Sequence, residues 1–288
     1  MGSRFLTLAL LLFVVACTST GFAVVNLPTQ FDDLHVVHDV TYGPESGQKL
    51  DIYRPNETDT KPHDVIVFFY GGRWTYGTKE DYRFVGAALS QRGFIVVIPD
   101  YRKYPQVRFP VFVEDGAKAL GWVYDNISTY GGDPKRIHVA GHSAGAHIGA
   151  LLTADAQYLK AEGKNRSHII HDFVGLAGPY AFTPDEPDLE DMFGPPENYP
   201  KMQVPTFIDG HQPPMLLLYG DADKDVKPIN FEKLRASIKA KGGCVQSIIY
   251  PGATHIGLVA GFSWMNPDNV SVIDDMMHFY NRTEQGGC

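Results

Sequence analysis

Apolar and β-branched residues gather in two short stretches, residues 34–41 and 49–53, which predict strands. The Gly43-Pro44-Glu45-Ser46-Gly47 cluster between them is a turn signal, so the pair is expected to form a hairpin at a sheet edge. The rhythm then changes. Residues 65–69, 95–98 and 137–140 are continuous apolar runs, as in strands buried on both faces of a parallel sheet. Residues 81–92 and 111–127 lie between them with helical spacing, which predicts consecutive right-handed βαβ units. The pattern continues with a small-residue helix over 144–153, strands over 173–176, 215–219 and 244–250, and helices over 231–241 and 272–280. Residues 180–214 are Pro-rich, read as irregular, and could shape a pocket. No internal repeat or linker interrupts the series, so one doubly wound, mostly parallel α/β domain is expected over about residues 24–288.

The first 23 residues read as an address. Arg4 and the amino terminus precede an apolar stretch over residues 5–16, which fits a signal-peptide core and is shorter than the roughly 18 residues that span a bilayer. Two processing sites compete. Gly21-Phe22-Ala23 suits ordinary cleavage, whereas Val14-Val15-Ala16-Cys17 resembles a lipobox, in which Cys17 would be lipidated and start the mature chain. An exported protein is expected either way, as a membrane-anchored lipoprotein or as a periplasmic or secreted one.

Composition narrows the partners. Acidic residues outnumber basic ones by 33 to 25, giving a net charge of −8 without a basic cluster, so nucleic acid is excluded as a natural partner. Once the leader is set aside, Cys244 and Cys288 remain in a compartment that permits disulfides, and sequence leaves both their pairing and two free thiols open. Oligomeric state is equally open. His168-Ile169-Ile170-His171-Asp172 has ligand-like residue types but no zinc-site frame, so no metal and no cofactor is expected.

The chemistry sits at three strand ends. Gly141-His142-Ser143-Ala144-Gly145 is a G-x-S-x-G nucleophile elbow, placed as it must be between a buried strand and a small-residue helix. A serine hydroxyl needs an imidazole to take its proton and a carboxylate to orient that imidazole. Downstream, residues 215–219 run into Gly220-Asp221-Ala222-Asp223-Lys224-Asp225, and the next strand runs into Gly252-Ala253-Thr254-His255. His255 is the expected base, because the only later histidine, His278, lies inside a helical pattern. Spacing does not separate Asp221, Asp223 and Asp225. Tyr70-Gly71-Gly72-Arg73-Trp74 follows another buried strand, so the N–H groups of Gly71 and Gly72, with that of Ala144, are the expected oxyanion donors.

These residues resemble the α/β-hydrolase superfamily over essentially the whole mature chain. The narrower likeness is to its carboxylesterase, kynurenine formamidase and prenylcysteine methylesterase branch, including the BD-FAE type. It is carried by Leu50-Asp51-Ile52-Tyr53, Tyr70 to Trp74, Asp100-Tyr101-Arg102, Gly141 to Gly145, Gly220 to Val226 and Gly252 to His255. The acid of that family lies three positions after the strand-end glycine, which selects Asp223. One departure is Tyr70, where the family usually has His, and it removes any substrate specificity inferred from that His.

The resemblance implies a serine carboxylic-ester hydrolase with Ser143, His255 and Asp223 as triad, acting on a small-molecule ester. The expected range is small to medium acyl groups, since no long lid is visible. Trp74 and Tyr76 are expected in the substrate pocket, with Tyr180, Phe182 and Trp264 as further aromatic candidates. Two rival readings are an aryl formamidase using the same triad and an exported binding lipoprotein without turnover.

Overall fold

The computed structural model describes residues 21–30, 34–56 and 61–288; the apolar leader and Cys17 lie outside the described residues. The predicted hairpin is present as β1 (His35–Thr41) and β2 (Lys49–Arg54), paired antiparallel. The register of β1 slips between Val37 and Val40, where Asp39 adopts φ 57° and its N–H donates to Asp51 Oδ1 at 2.9 Å. This is a bulge in an edge strand.

Six parallel strands follow. They are β3 (His63–Phe69), β4 (Ile95–Pro99), β5 (Gly132–His142), β6 (Ile170–Leu176), β7 (Met215–Gly220) and β8 (Val245–Tyr250). The sheet order is β1-β2-β4-β3-β5-β6-β7-β8, with β2 antiparallel to β4 and every later pairing parallel. All five residues of β4 and all six of β7 are buried, which is why these strands read as unbroken apolar runs.

Helices α1 (Arg83–Ser90), α2 (Val111–Asn126), α3 (Ala144–Ala154), α4 (Pro187–Phe193), α5 (Ile229–Ala240), α6 (His255–Ala260) and α7 (Val272–Glu284) accompany the sheet, with shorter helical turns between them. Every residue of α3 is buried. Its small residues make that possible: a Cβ on Gly149 would stand 2.8 Å from the Phe173 ring, and one on Gly116 of α2 would stand 2.9 Å from Ile148. The doubly wound, mostly parallel α/β domain expected from the strand and helix pattern is therefore present, with the antiparallel pair at one edge, as the family resemblance also implied.

Two elements differ from expectation. β5 begins five residues earlier than its apolar run, because Gly132 pairs with His63 of β3 across a stretch whose side chains are polar. The Pro-rich segment is also not wholly irregular. It holds α4 and three shorter helical turns, each with a proline in its first two positions, where the missing N–H costs nothing.

The cysteine alternative resolves as a bridge: Cys244 and Cys288 are bonded, with Cα atoms 5.5 Å apart and a separation of 44 positions in the chain. It ties the entry of edge strand β8 to the chain beyond α7. Closing a loop of this length restricts the unfolded chain by about 3–4 kcal/mol. Cys288→Ser should therefore lower the free energy of unfolding in denaturant by about 2–4 kcal/mol, and stability equal to the parent would refute the bridge.

Candidate active site

Ser143 terminates β5 at the C-terminal edge of the sheet and precedes the first residue of α3. Its backbone sits at φ 54° and ψ −122°, a region that side-chain-bearing residues rarely enter, and its N–H donates to the Leu176 carbonyl at 2.9 Å. The flanking glycines have steric reasons. A Cβ on Gly141 would lie 2.6 Å from the Gly145 carbonyl oxygen, and one on Gly145 would lie 2.1 Å from that of Phe69. The turn can be this tight only without those side chains. Ser143 itself remains partly accessible while Ala144 is buried.

The acid and base come from neighbouring strand exits. Asp223 follows β7 and His255 opens α6 after β8, and His255 Nδ1–H donates to Asp223 Oδ2 at 2.8 Å. The other oxygen of Asp223 accepts the N–H groups of Asp225 and Val226 at 2.8 and 2.9 Å. Burial pushes the Asp223 carboxyl upward, but the bond and charge of His255 together with the two amides outweigh it and hold the carboxyl below its usual range. The choice among three carboxylates is thereby made. Asp221 instead accepts the Gly252 N–H at 2.6 Å, joining the acid loop to the base loop, and Asp225 is exposed. Gly220 permits that junction, since a Cβ there would meet the Ala253 carbonyl at 2.3 Å. His278, the alternative histidine, faces solvent on α7.

The segment after β3 is held under strain. Gly72 has φ 127° and faces the Tyr76 carbonyl so closely that a Cβ would lie 2.1 Å from it, while Arg73 and Trp74 both have positive φ. Tyr70 is buried; its hydroxyl donates to Asp100 Oδ1 at 2.6 Å, and its carbonyl accepts the Tyr101 hydroxyl at 2.9 Å. Tyr70 thus fastens the segment to the exit of β4. One expectation needs correction: the Gly71 N–H is not free, because it donates to the buried Tyr82 hydroxyl at 3.1 Å. Gly71 serves the site by its smallness, since a Cβ there would stand 3.1 Å from Ser143 Cβ. Ala144, at the start of α3, has no intrahelical partner for its N–H.

His142, the variable residue of the elbow motif, is fully buried between these parts. Its Nε2–H donates to the His255 carbonyl at 3.1 Å, and Nδ1 lies 3.4 Å from the Tyr82 hydroxyl. Burial, aided by the nearby His255, pushes His142 down to about 3, so it stays neutral. The base loop has a further brace in Asp268, which accepts both the N–H and the hydroxyl of Thr254 at 2.7 and 2.8 Å. Thr254 in turn caps α6 through the Gly257 N–H at 3.0 Å. Tyr82 and Asp268 carry no motif, and His142 and Thr254 were visible only as positions inside motifs whose roles were assigned to their neighbours.

The aromatic candidates separate. Trp74 is only 3% exposed and stacks on Phe112 and Phe182, with His147 and Phe193 edge-on. It belongs to the core beside residues 70–73, correcting its expected place in an open pocket. Tyr180 is likewise buried, whereas Tyr76 and Trp264 are 48% and 64% exposed. Tyr76 lies near enough to Asp225 and Arg73 for both charges to act on its hydroxyl. Arg73 reaches across to the Pro-rich segment, where Nη2 bonds Glu186 at 2.7 Å and Asp188 at 3.1 Å.

The known proteins that this chain is similar to include named esterases. The isoprenylcysteine alpha-carbonyl methylesterase ICME of Arabidopsis thaliana is 29% identical over 254 residues, covering 79% of this chain and 58% of that protein. Esterase LipC of Mycobacterium tuberculosis is 30% identical over 239 residues, covering 75% of this chain and 58% of LipC. The chain thus spans somewhat over half the length of these relatives. Among solved structures, esterase B from Lactobacillus Rhamnosis (HN001) superposes with a TM-score of 0.80 at 19% identity, over 99% of this chain and 98% of that one, and shares the fold. The BD-FAE family profile matches residues 50–238, from β2 through the loop after β3, the elbow and the loop after β7 into α5. On that match the chain belongs to the BD-FAE family of α/β-hydrolases.

Proposed function

We propose that the protein is a serine carboxylic-ester hydrolase acting on small to medium acyl esters. The observation that carries this reading is the 2.8 Å bond from His255 to an otherwise amide-bound Asp223, at the sheet edge where Ser143 sits on its strained elbow. With Nδ1–H bound to Asp223, Nε2 of His255 is the free base. It takes the Ser143 proton as Oγ adds to the ester carbonyl, and the N–H groups of Gly72 and Ala144 receive the oxygen that gains charge. Collapse expels the alcohol with the proton from His255. Water, deprotonated by the same imidazole, then releases the acid and restores Ser143. Asp223 stays ionised throughout, orienting the imidazole and stabilising its charged form.

We place this chemistry outside the cytoplasm. The apolar leader supports export, with Cys17 as a lipid attachment point or Ala23 as the cleavage site, and the Cys244–Cys288 bridge fits an oxidising compartment.

Hydrolysis of p-nitrophenyl esters from acetyl to long acyl, with an aryl formamide alongside, tests the reading. Short esters should turn over fastest; faster cleavage of the formamide would favour the amidase alternative, and silence on every substrate from folded protein would favour a binding role. Ser143→Ala and His255→Ala should each lower turnover by about 10⁴-fold with the fold intact. Asp223→Asn should be nearly as impaired, and Asp221→Asn far less; the reverse order would reassign the acid. Tyr82→Phe leaves the Gly71 N–H buried without its acceptor, a loss of about 1–3 kcal/mol. Its kcat should fall about 10- to 100-fold, and unchanged kcat would remove Tyr82 from the oxyanion scaffold.

A further inference from the structure

Farther back along β5 from Ser143, a second cluster of titratable groups plays no part in the chemistry above. His138 lies five residues before Ser143, which is roughly 16 Å along an extended strand. Its imidazole is fully buried, under the Tyr280 ring at 4.2 Å between centroids. Nδ1–H donates to Asp172 Oδ1 of β6 at 2.9 Å. Asp172 is itself fixed, because its other oxygen accepts the Thr283 hydroxyl at 2.7 Å and His171 Nδ1–H at 3.1 Å. Nδ1–H is thereby fixed on Asp172; burial pushes the imidazole down, but the charges and bonds of Asp172 and Asp64 outweigh it and hold it up at about 9, so an ion at Nε2 must displace a proton.

That Nε2 is buried without a hydrogen-bond partner. It faces Asp64 of β3, whose Oδ2 is 3.8 Å away, and Glu284, the last residue of α7. One atom each from Asp64, His138 and Glu284 lies within 4.8 Å of the others. Asp64 beside it pushes the Glu284 carboxyl above its usual range. Arg136 occupies the far oxygen of Asp64 at 2.8 Å, leaving Oδ2 turned toward the imidazole.

We propose that Asp64, His138 and Glu284 form a binding site for a divalent transition-metal cation of the zinc type, which clasps α7 to β3 and β5. A histidine that ligates through one nitrogen and donates the other to a carboxylate is the usual arrangement at such sites, and Asp172 supplies that carboxylate. One imidazole with two carboxylates suits Zn²⁺, whereas Ca²⁺ and Mg²⁺ take oxygen donors alone. Glu284 is exposed, which gives the ion a route in and leaves positions for water. The rival occupant of Nε2 is a proton, which would make His138 an imidazolium held between Asp172 and Asp64.

The test is calorimetric titration of the untagged, chelator-treated full chain with ZnCl₂, with melting temperature and esterase turnover followed in parallel. The proposal expects one Zn²⁺ per chain, a melting temperature that rises with Zn²⁺ but not with Ca²⁺ or Mg²⁺, and unchanged turnover. Glu284→Gln, at an exposed position, should fold normally, keep its turnover and weaken Zn²⁺ binding at least tenfold, as should Asp64→Asn. Three results would overturn it: no binding at millimolar Zn²⁺; binding undiminished in both variants; or binding that blocks turnover and disappears in His255→Ala, which would place the ion at Asp223, Asp225 and His255.

Discussion

Where α3 docks on the exit of β3, there is no room for a side chain. A Cβ on Gly145 would stand 2.1 Å from the Phe69 carbonyl oxygen and 2.4 Å from that of Tyr70. This contact sets the distance between the two loops that must meet a substrate, and the remaining geometry follows from it. Because the helix starts so close to the sheet, the chain leaving β5 turns within one residue, and Ser143 takes up the conformational strain. Because the elbow lies against the loop after β3, a side chain on Gly71 would crowd His142 Nδ1 at 3.0 Å and Ser143 Cβ at 3.1 Å. The strain is held by ordinary bonds around it: Ser143 N–H to β6, Tyr70 to Asp100, and His142 to the base loop.

Much of this was legible in the chain because it depends on local pattern. Strands buried on both faces read as apolar runs, and an elbow needs glycines at two fixed positions, so the sheet and Ser143 could be placed from residues alone. His255 followed from chain order. Asp223 did not follow from spacing, because three aspartates share one short loop, and only the family likeness selected it. The structure supplies the physical reason: Asp223 is bound by two amides that point its second oxygen at His255, while Asp221 is taken up by Gly252.

What escaped the sequence depends on side chains that meet from distant segments. Tyr82 reaches Gly71 from just before α1, and Asp268 reaches Thr254 from a turn beyond α6; neither has a periodicity or a fixed spacing to announce it. Trp74 was read by its neighbours in sequence and is buried by its neighbours in space. The acidic and imidazole groups below the sheet illustrate the same limit, since β3, β5, β6 and α7 contribute one or two residues each and only register brings them together. One strand, β5, links the two polar centres through a stretch of buried apolar residues.

The bulge in β1 has a consequence for how molecules of this protein meet one another. An open sheet ends in a row of unpaired amides and carbonyls, the natural template for a strand from a second molecule. At this edge the template is broken midway, because Asp39 turns its N–H inward to Asp51 and holds its carboxylate 3.2 Å from the Lys79 ammonium. An incoming strand would lose its ladder at that point and would have to desolvate a carboxylate. Irregularity in β1 therefore guards the sheet against edge-to-edge growth into fibres, at the side where two short strands would otherwise be the easiest place to extend it.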